Sequence, residues 1–162
     1  MYLAAVAKNK VTTTPMPAAS RAFVRAYGPL LGELGLTYPQ YLALVVLWET
    51  DRSVSVGELG NRLHLDSGTL TPLLKRLEHA GLIKRQRDKT DERRVLVHLT
   101  DTGSALRKPA SRIPECLGEL LDIDRDHAIE LRDQLIQLTA VLTARAANSS
   151  QHSKQSASTS VA

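Results

Sequence analysis

Eight lysines and arginines fall between Lys75 and Arg94 against four acidic residues, so this stretch alone matches the +4 net charge of the 162-residue chain. A basic excess gathered in one place suits a polyanionic partner. Just ahead of it stand Ser67, Thr69 and Thr71, followed by Lys75, Arg76 and His79. Short hydroxyls allow close approach to a nucleic-acid backbone, and Lys75 and Arg76 are long enough to meet a phosphate or a guanine edge. Arg85, Arg87, Lys89, Arg93 and Arg94 offer a second cationic group. Other chemistry is poorly provided for. His64, His79, His98, His127 and His152 lack metal-ligand spacing. Cys116 is the only cysteine, which excludes an intramolecular disulfide and points to a reducing compartment. There is no phosphate-binding glycine loop and no nucleophile elbow. No enzyme activity, metal or cofactor is therefore expected.

The hydroxyls and the first cations share one stretch, residues 65–82. Leu70, Leu73, Leu74 and Leu77 fall at i, i+3, i+4 and i+7 and line one helical face. Gly68, Pro72, Lys75, Arg76 and His79 are left on or near the other. Asp66 is the expected N-cap and Gly81 the expected stop. Pro72 either bends the helix in its second turn or opens it with Thr71 as cap. The longer helix is favoured because Leu70 already belongs to the stripe. Upstream, Ser55 and Glu58 have capping-box spacing, and Val56, Leu59 and Leu63 give a short inward stripe. Two amphipathic helices joined by a tight turn read as a helix-turn-helix, although the second helix alone reads equally well as an ordinary amphipathic one. After Gly81, residues 82–87 and 94–99 read as strands joined by an all-polar loop. A hairpin directly after a helix-turn-helix is a wing, and its basic tip suits a minor groove. Taken alone it also reads as a solvated charged hairpin. Asp91, two residues before Arg93, is placed to hold that guanidinium in one orientation.

Around this core, residues 18–34 read as a helix with Phe23, Tyr27, Leu30, Leu31 and Leu34 apolar, and Pro29 marks a kink or a break after Tyr27. Residues 37–50 form a second helix that is apolar almost all round, as a central buried helix is. From Thr100 the pattern is helical again, with breaks allowed at Pro109 and Pro114. Asp124 caps a last helix to about Arg145, in which Ala128, Leu131, Leu135, Leu138 and Leu142 make an a/d seam. So short a seam packs within a chain or between chains; helices flanking a small winged body at both ends favour a dimer. The expected division is an irregular or disordered arm at 1–17, a winged-helix DNA-binding domain with dimerisation helices over 18–146, and a disordered Ser-, Gln- and Thr-rich tail at 147–162. The fold class is α+β, mainly helical: 43% apolar but only 4% aromatic residues suit helices packed by Leu, Val and Ala. The longest apolar run, Tyr41 to Trp48, is too short to cross a bilayer, and the start MYLAAVAKNK lacks the pattern of a secretory signal. A cytoplasmic protein without a membrane partner is expected.

With its elements in this order the chain resembles the MarR-type winged-helix regulators. Asp91-Glu92-Arg93 followed by Leu99-Thr100 looks like their wing signature. AYGPLLGELGLTYPQYLALVVLWE, LDSGTLTPLLKRLEHAGL and DERRVLVHLT bring it closer to the organic hydroperoxide resistance regulators within that family. The resemblance covers roughly residues 18–145. It implies a homodimer that represses transcription from a dyad operator in double-stranded DNA, commonly beside a peroxidase gene for organic hydroperoxides. It also implies that Arg93 enters the minor groove with Asp91 as its brace.

The departure lies at the sensor. Those regulators sense through a reactive cysteine in the N-terminal helix, and gapless counting puts that position near Thr13. A threonine hydroxyl cannot enter the thiol oxidation ladder. The two tyrosines that hydrogen-bond the sensing sulfur in the family match Tyr27 and Tyr38. Cys116 resembles the resolving cysteine of two-cysteine members, without a matching partner here. It reads as a buried small side chain or as a residual thiol switch, which Arg112 favours and Glu115 opposes. Three readings stand. The favoured one is a dimeric repressor of the hydroperoxide-resistance type, with its two helix-turn-helices about one DNA turn apart. The second is a MarR-type repressor released by a small apolar or phenolic ligand. The third is a winged-helix module that contacts protein instead of DNA.

Overall fold

In a computed structural model that describes residues 15–50 and 52–159, the apolar periods become helices α1 (Pro15–Gly32), α2 (Tyr38–Thr50), α3 (Val56–Leu63) and α4 (Ser67–His79). Strands β1 (Val54–Ser55), β2 (Ile83–Arg87) and β3 (Val95–Leu99) follow the expected hairpin with one addition, and α5 (Asp101–Ala105), α6 (Arg107–Ala110), α7 (Ile113–Leu121) and α8 (Arg125–Thr159) complete the chain. The body expected over 18–146 divides into two compact units, one ending at Leu117 and one beginning at Gly118.

At the centre of the first unit lies α2, whose Tyr41, Ala43, Leu44, Val46, Leu47 and Trp48 are buried. Its nearly all-round apolar surface is buried on most sides, and a strip through Tyr38, Pro39, Leu42, Val45 and Glu49 keeps some exposure. Leu31 from α1, Leu59 from α3, the four α4 leucines, Ile83 and Val97 join the same core. The sheet has the order β1-β3-β2, antiparallel throughout, with Arg85 opposite Val97 and Arg87 opposite Val95. Two residues are too short a run to show a strand period, so β1 was not anticipated. It forms because Val54, fully buried, pairs with Val97 in the core.

The three helices α1, α3 and α4 end in one manner. The N–H groups of Leu36, Leu65 and Leu82 reach back to the carbonyls of Leu31, Gly60 and Leu77 at 3.0, 2.9 and 3.0 Å. The residue between, Gly35, His64 or Gly81, takes the left-handed conformation. This satisfies carbonyls that a helix end leaves open. Gly81 therefore stops α4 as its sequence position suggested.

Several expectations are corrected. Pro29 lies within α1, and the helix does not break after Tyr27. It begins at Pro15, so residues 15–17 of the expected irregular arm are helical; a first turn tolerates proline because its N–H groups have no partner in the helix. The remainder of that arm, with Thr13, lies outside the described residues. The expected tail at 147–162 is helical as far as Thr159, because Arg125–Thr159 contains neither Gly nor Pro to end α8. In the second unit Asp124 caps α8 as expected, its Oδ1 accepting the His127 N–H at 2.9 Å. Leu131, Leu135, Leu138 and Leu142 stay between 41 and 57% exposed. Among the described residues no helix is long and apolar enough to cross a membrane.

Gly103 joins three elements of the first unit. Its carbonyl accepts the Trp48 indole N–H at 2.9 Å in the core, and its own N–H donates to Thr100 Oγ1 at 3.0 Å. A Cβ there would collide with the Leu82 backbone carbonyl. Gly103→Ala should lower stability by about 1–3 kcal/mol or more, as overpacking against backbone does. Urea unfolding followed by the fluorescence of the single tryptophan measures this, and an unchanged midpoint would refute the close-packed joint.

Candidate nucleic-acid interface

The position of α4 is set at its first turn. Asp66 Oδ1 accepts the Thr69 N–H at 2.9 Å, and Oδ2 accepts the Thr69 hydroxyl at 3.0 Å. The Thr69 amide first, and its hydroxyl second, hold the Asp66 carboxyl below the usual carboxylate range. Asp66, not Thr71, is thus the cap, and the helix runs on through Pro72. Leu70, Leu73, Leu74 and Leu77 are buried, which leaves Ser67, Thr69, Thr71, Lys75, Arg76 and His79 exposed. Ahead of it Ser55 Oγ caps α3 by accepting the Glu58 N–H at 3.1 Å. The Glu58 carboxylate turns away from the expected reciprocal bond and pairs with Arg52 at 2.6 Å.

The wing tip is shaped by its acidic residues. Asp88 N–H donates to the Arg94 carbonyl at 2.9 Å. Asp88 Oδ1 accepts both the amide and the hydroxyl of Thr90. Asp91 Oδ1 accepts the Arg93 main-chain N–H at 3.1 Å. This corrects the expected brace: Asp91 fixes the backbone before Arg93 and not its guanidinium. A short carboxylate reaches an amide two residues on more readily than the far end of a long side chain. Arg87, Lys89, Arg93 and Arg94 are exposed, and among the described residues none of them is in an ion pair.

Arg85 is the exception among the expected contacts. Its Nε and Nη2 donate to Glu78 Oε2 at 2.9 and 2.6 Å, and its main-chain N–H donates to Glu78 Oε1 at 2.8 Å. The chain reverses at Gly81, so residue 85 returns beside the last turn of α4 and its side chain is only 25% exposed. These bonds, the guanidinium's foremost, hold the Glu78 carboxyl below its ordinary range. Glu78 was missed among the site residues. Its legible signal was an acid in a helix's last turn, where the macrodipole disfavours it.

Away from these elements, Tyr27 and Tyr38 do come together, with ring centroids 4.7 Å apart, and Phe23 meets them edge-on while Tyr41 lies tilted against Tyr27. Burial, then the neighbouring Tyr38 and Tyr41, push the Tyr27 hydroxyl up to about 12. Cys116 is a free, partly exposed thiol on α7. Among the described residues no three His, Cys, Asp or Glu side chains gather as metal ligands.

Residues 25–108 match the family described as transcriptional regulator SarA/Rot. The chain is 50% identical over 129 residues to the HTH-type transcriptional regulator TtmR of Methylorubrum extorquens, covering 80% of this chain and 66% of that one, just under two thirds. It is 47% identical over 115 residues to the organic hydroperoxide resistance transcriptional regulator of Bacillus subtilis, covering 71% of this chain and 76% of that one. Among solved structures, reduced AbfR bound to DNA, a protein of Staphylococcus epidermidis, is 34% identical with a TM-score of 0.66, covering 80% and 89% of the two chains. MarR is 26% identical with a TM-score of 0.65, covering 80% and 98%.

The Asp66 cap has a pH signature. A carboxyl whose folded-state value lies below its unfolded one stabilises the fold above the ordinary carboxylate range, and that contribution is lost as pH falls through the folded value. Asn caps about as well but does not titrate. In circular dichroism, Asp66→Asn should therefore lose less stability than the native chain on acidification below about pH 4. Parallel acid curves for the two proteins would remove Asp66 from that role.

Proposed function

Because the chain belongs to the transcriptional regulator SarA/Rot family, and because AbfR, which it resembles, was solved bound to DNA, we propose that it represses transcription as a homodimer seated on a dyad operator. One observation carries the reading: burial of the leucine face of α4 turns its hydroxyls and cations outward, while among the described residues four wing cations are in no ion pair. Helix α4 then lies in the major groove. Ser67, Thr69 and Thr71 approach the backbone, and Lys75 and Arg76 reach phosphates or guanine edges. Arg93 enters the adjoining minor groove, with Arg87, Lys89 and Arg94 on the flanking phosphates. Asp91 shapes the turn that presents Arg93. Arg85 is not assigned a DNA contact, since Glu78 holds it. The exposed leucines of α8 form the seam between two copies, and a dimer on a dyad operator seats its two α4 helices about one DNA turn apart.

The release signal acts on the aromatic cluster of Phe23, Tyr27, Tyr38 and Tyr41, which favours a small apolar or phenolic ligand. The chain's one thiol lies elsewhere, at Cys116 on α7. An organic hydroperoxide is the competing signal: the Cys116 thiolate would take one peroxide oxygen to become a sulfenic acid, releasing the alcohol.

Fluorescence anisotropy on a duplex from upstream of the chain's own gene tests the whole reading. Log affinity should fall steeply with log salt, as phosphate contacts require. Arg93→Ala should weaken binding by about 1–3 kcal/mol. A salt-independent affinity would favour the protein-contacting alternative. Release by a phenolic compound supports the ligand reading, whereas release by a hydroperoxide that thiol reverses and Cys116→Ser abolishes replaces it with the oxidant one. Separately, Leu135→Asp should turn a dimer into a monomer in sedimentation velocity and abolish tight operator binding; an unchanged dimer would place the interface elsewhere.

A further inference from the structure

We propose that Glu78 is a positioning residue for DNA recognition: through Arg85 it locks the wing to the last turn of α4, so that both elements meet DNA as one body. The proposal rests on the DNA-binding surface described above.

The sheet order β1-β3-β2 makes β2 an edge strand. Its outer edge would present the Arg85 N–H unpaired, and Glu78 Oε1 takes that N–H at 2.8 Å. The other carboxylate oxygen takes the guanidinium through two of its nitrogens. One side chain thus holds both the backbone and the side chain of the same strand residue. On the opposite side of the joint, the Thr100 hydroxyl donates to the Gly81 carbonyl at 2.7 Å and the Thr100 N–H to the Leu82 carbonyl at 3.1 Å. Residues 80–82, the whole link between α4 and β2, are therefore gripped from both sides. Beyond Arg87 the tip is shaped by its own hydrogen bonds around Asp88 and Asp91. The direction in which Arg93 points is then inherited from the placement of β2.

A purely electrostatic role makes the opposite forecast. Glu78 is an anion in a surface that binds a polyanion, and its place at a helix C-terminus is unfavourable for the helix. On charge alone, removing it should tighten DNA binding and leave the value of Arg93 unchanged. Positioning forecasts that the value of Arg93 falls.

The test is a double-mutant cycle on the full chain, with the same operator duplex and salt throughout. Arg93→Ala should weaken binding roughly tenfold in the native background. In the Glu78→Gln background it should cost less than about threefold, the difference being the coupling between the two sites. Arg85→Gln, which opens the same lock from the strand side, should reproduce that loss. Thermal melts confirm that each variant is folded. If Arg93→Ala costs the same in both backgrounds, or if Glu78→Gln simply tightens binding, the positioning role is overturned. If the native chain itself shows no salt-dependent binding, the DNA surface fails first, and that outcome is visible before any variant is made.

Discussion

The buried face of α4 is the constraint on which the other features depend. Leu70, Leu73, Leu74 and Leu77 are all within 6% of complete burial, and each stabilises the fold by about 1.5–3 kcal/mol. A helix turns 100° per residue, so placing these four against α2 dictates what every other residue of α4 does. Rotation by one position would bring Lys75 or Arg76 into the core, and burying an unpaired cation there costs more than any leucine returns. The outward set of hydroxyls and cations is therefore a consequence of core packing. The Asp66 cap and the Gly81 reversal fix where the helix begins and ends, and so which of its turns is presented.

Charge in the wing is distributed by the same economy of contacts. Of the four acids between Lys75 and Arg94, Glu78, Asp88 and Asp91 are hydrogen-bonded into the fold. Two of them hold backbone amides at the hairpin tip, and one holds the edge of β2. Arg85 alone among the basic residues of that stretch is in an ion pair among the described residues. Acidic residues here serve shape, and the basic ones remain available. A net count of charge along the sequence would treat the two as cancelling, and the structure shows that they are doing different things.

In the second unit an apolar face is left uncovered. The a/d leucines of α8 are about half exposed, although an isolated helix gains most of its stability from packing an apolar face. In the proposed dimer a second copy of the seam supplies that packing, with the two-fold symmetry that a dyad operator asks for. The aromatic cluster around Tyr27 in the first unit keeps its form in a chain whose only thiol is elsewhere. Its edge-on and tilted rings are the surface on which the proposed apolar or phenolic ligand would act.

Features that depend on neighbours within about one helical turn were determined by the sequence alone. Asp66 and Ser55 cap because the amide they serve is three residues away; Gly81 and the leucine stripe follow from local period. The same locality explains the errors at the ends. Composition suggested disorder after residue 147, whereas continuity of α8 needed only the absence of a breaker, and Pro15 opened α1 where an arm was expected. Tertiary structure alone decided the rest. Val54 becomes a strand because Val97 lies opposite it. Gly103 must lack a Cβ because the Leu82 backbone closes on it, while Trp48, 55 residues away, donates to its carbonyl. Arg85 turns from a candidate DNA contact into the partner of Glu78 because the reversal at Gly81 folds β2 back along α4. Each of these contacts joins residues that no period of 3.6 or 2 connects, so only the packed chain could bring them together.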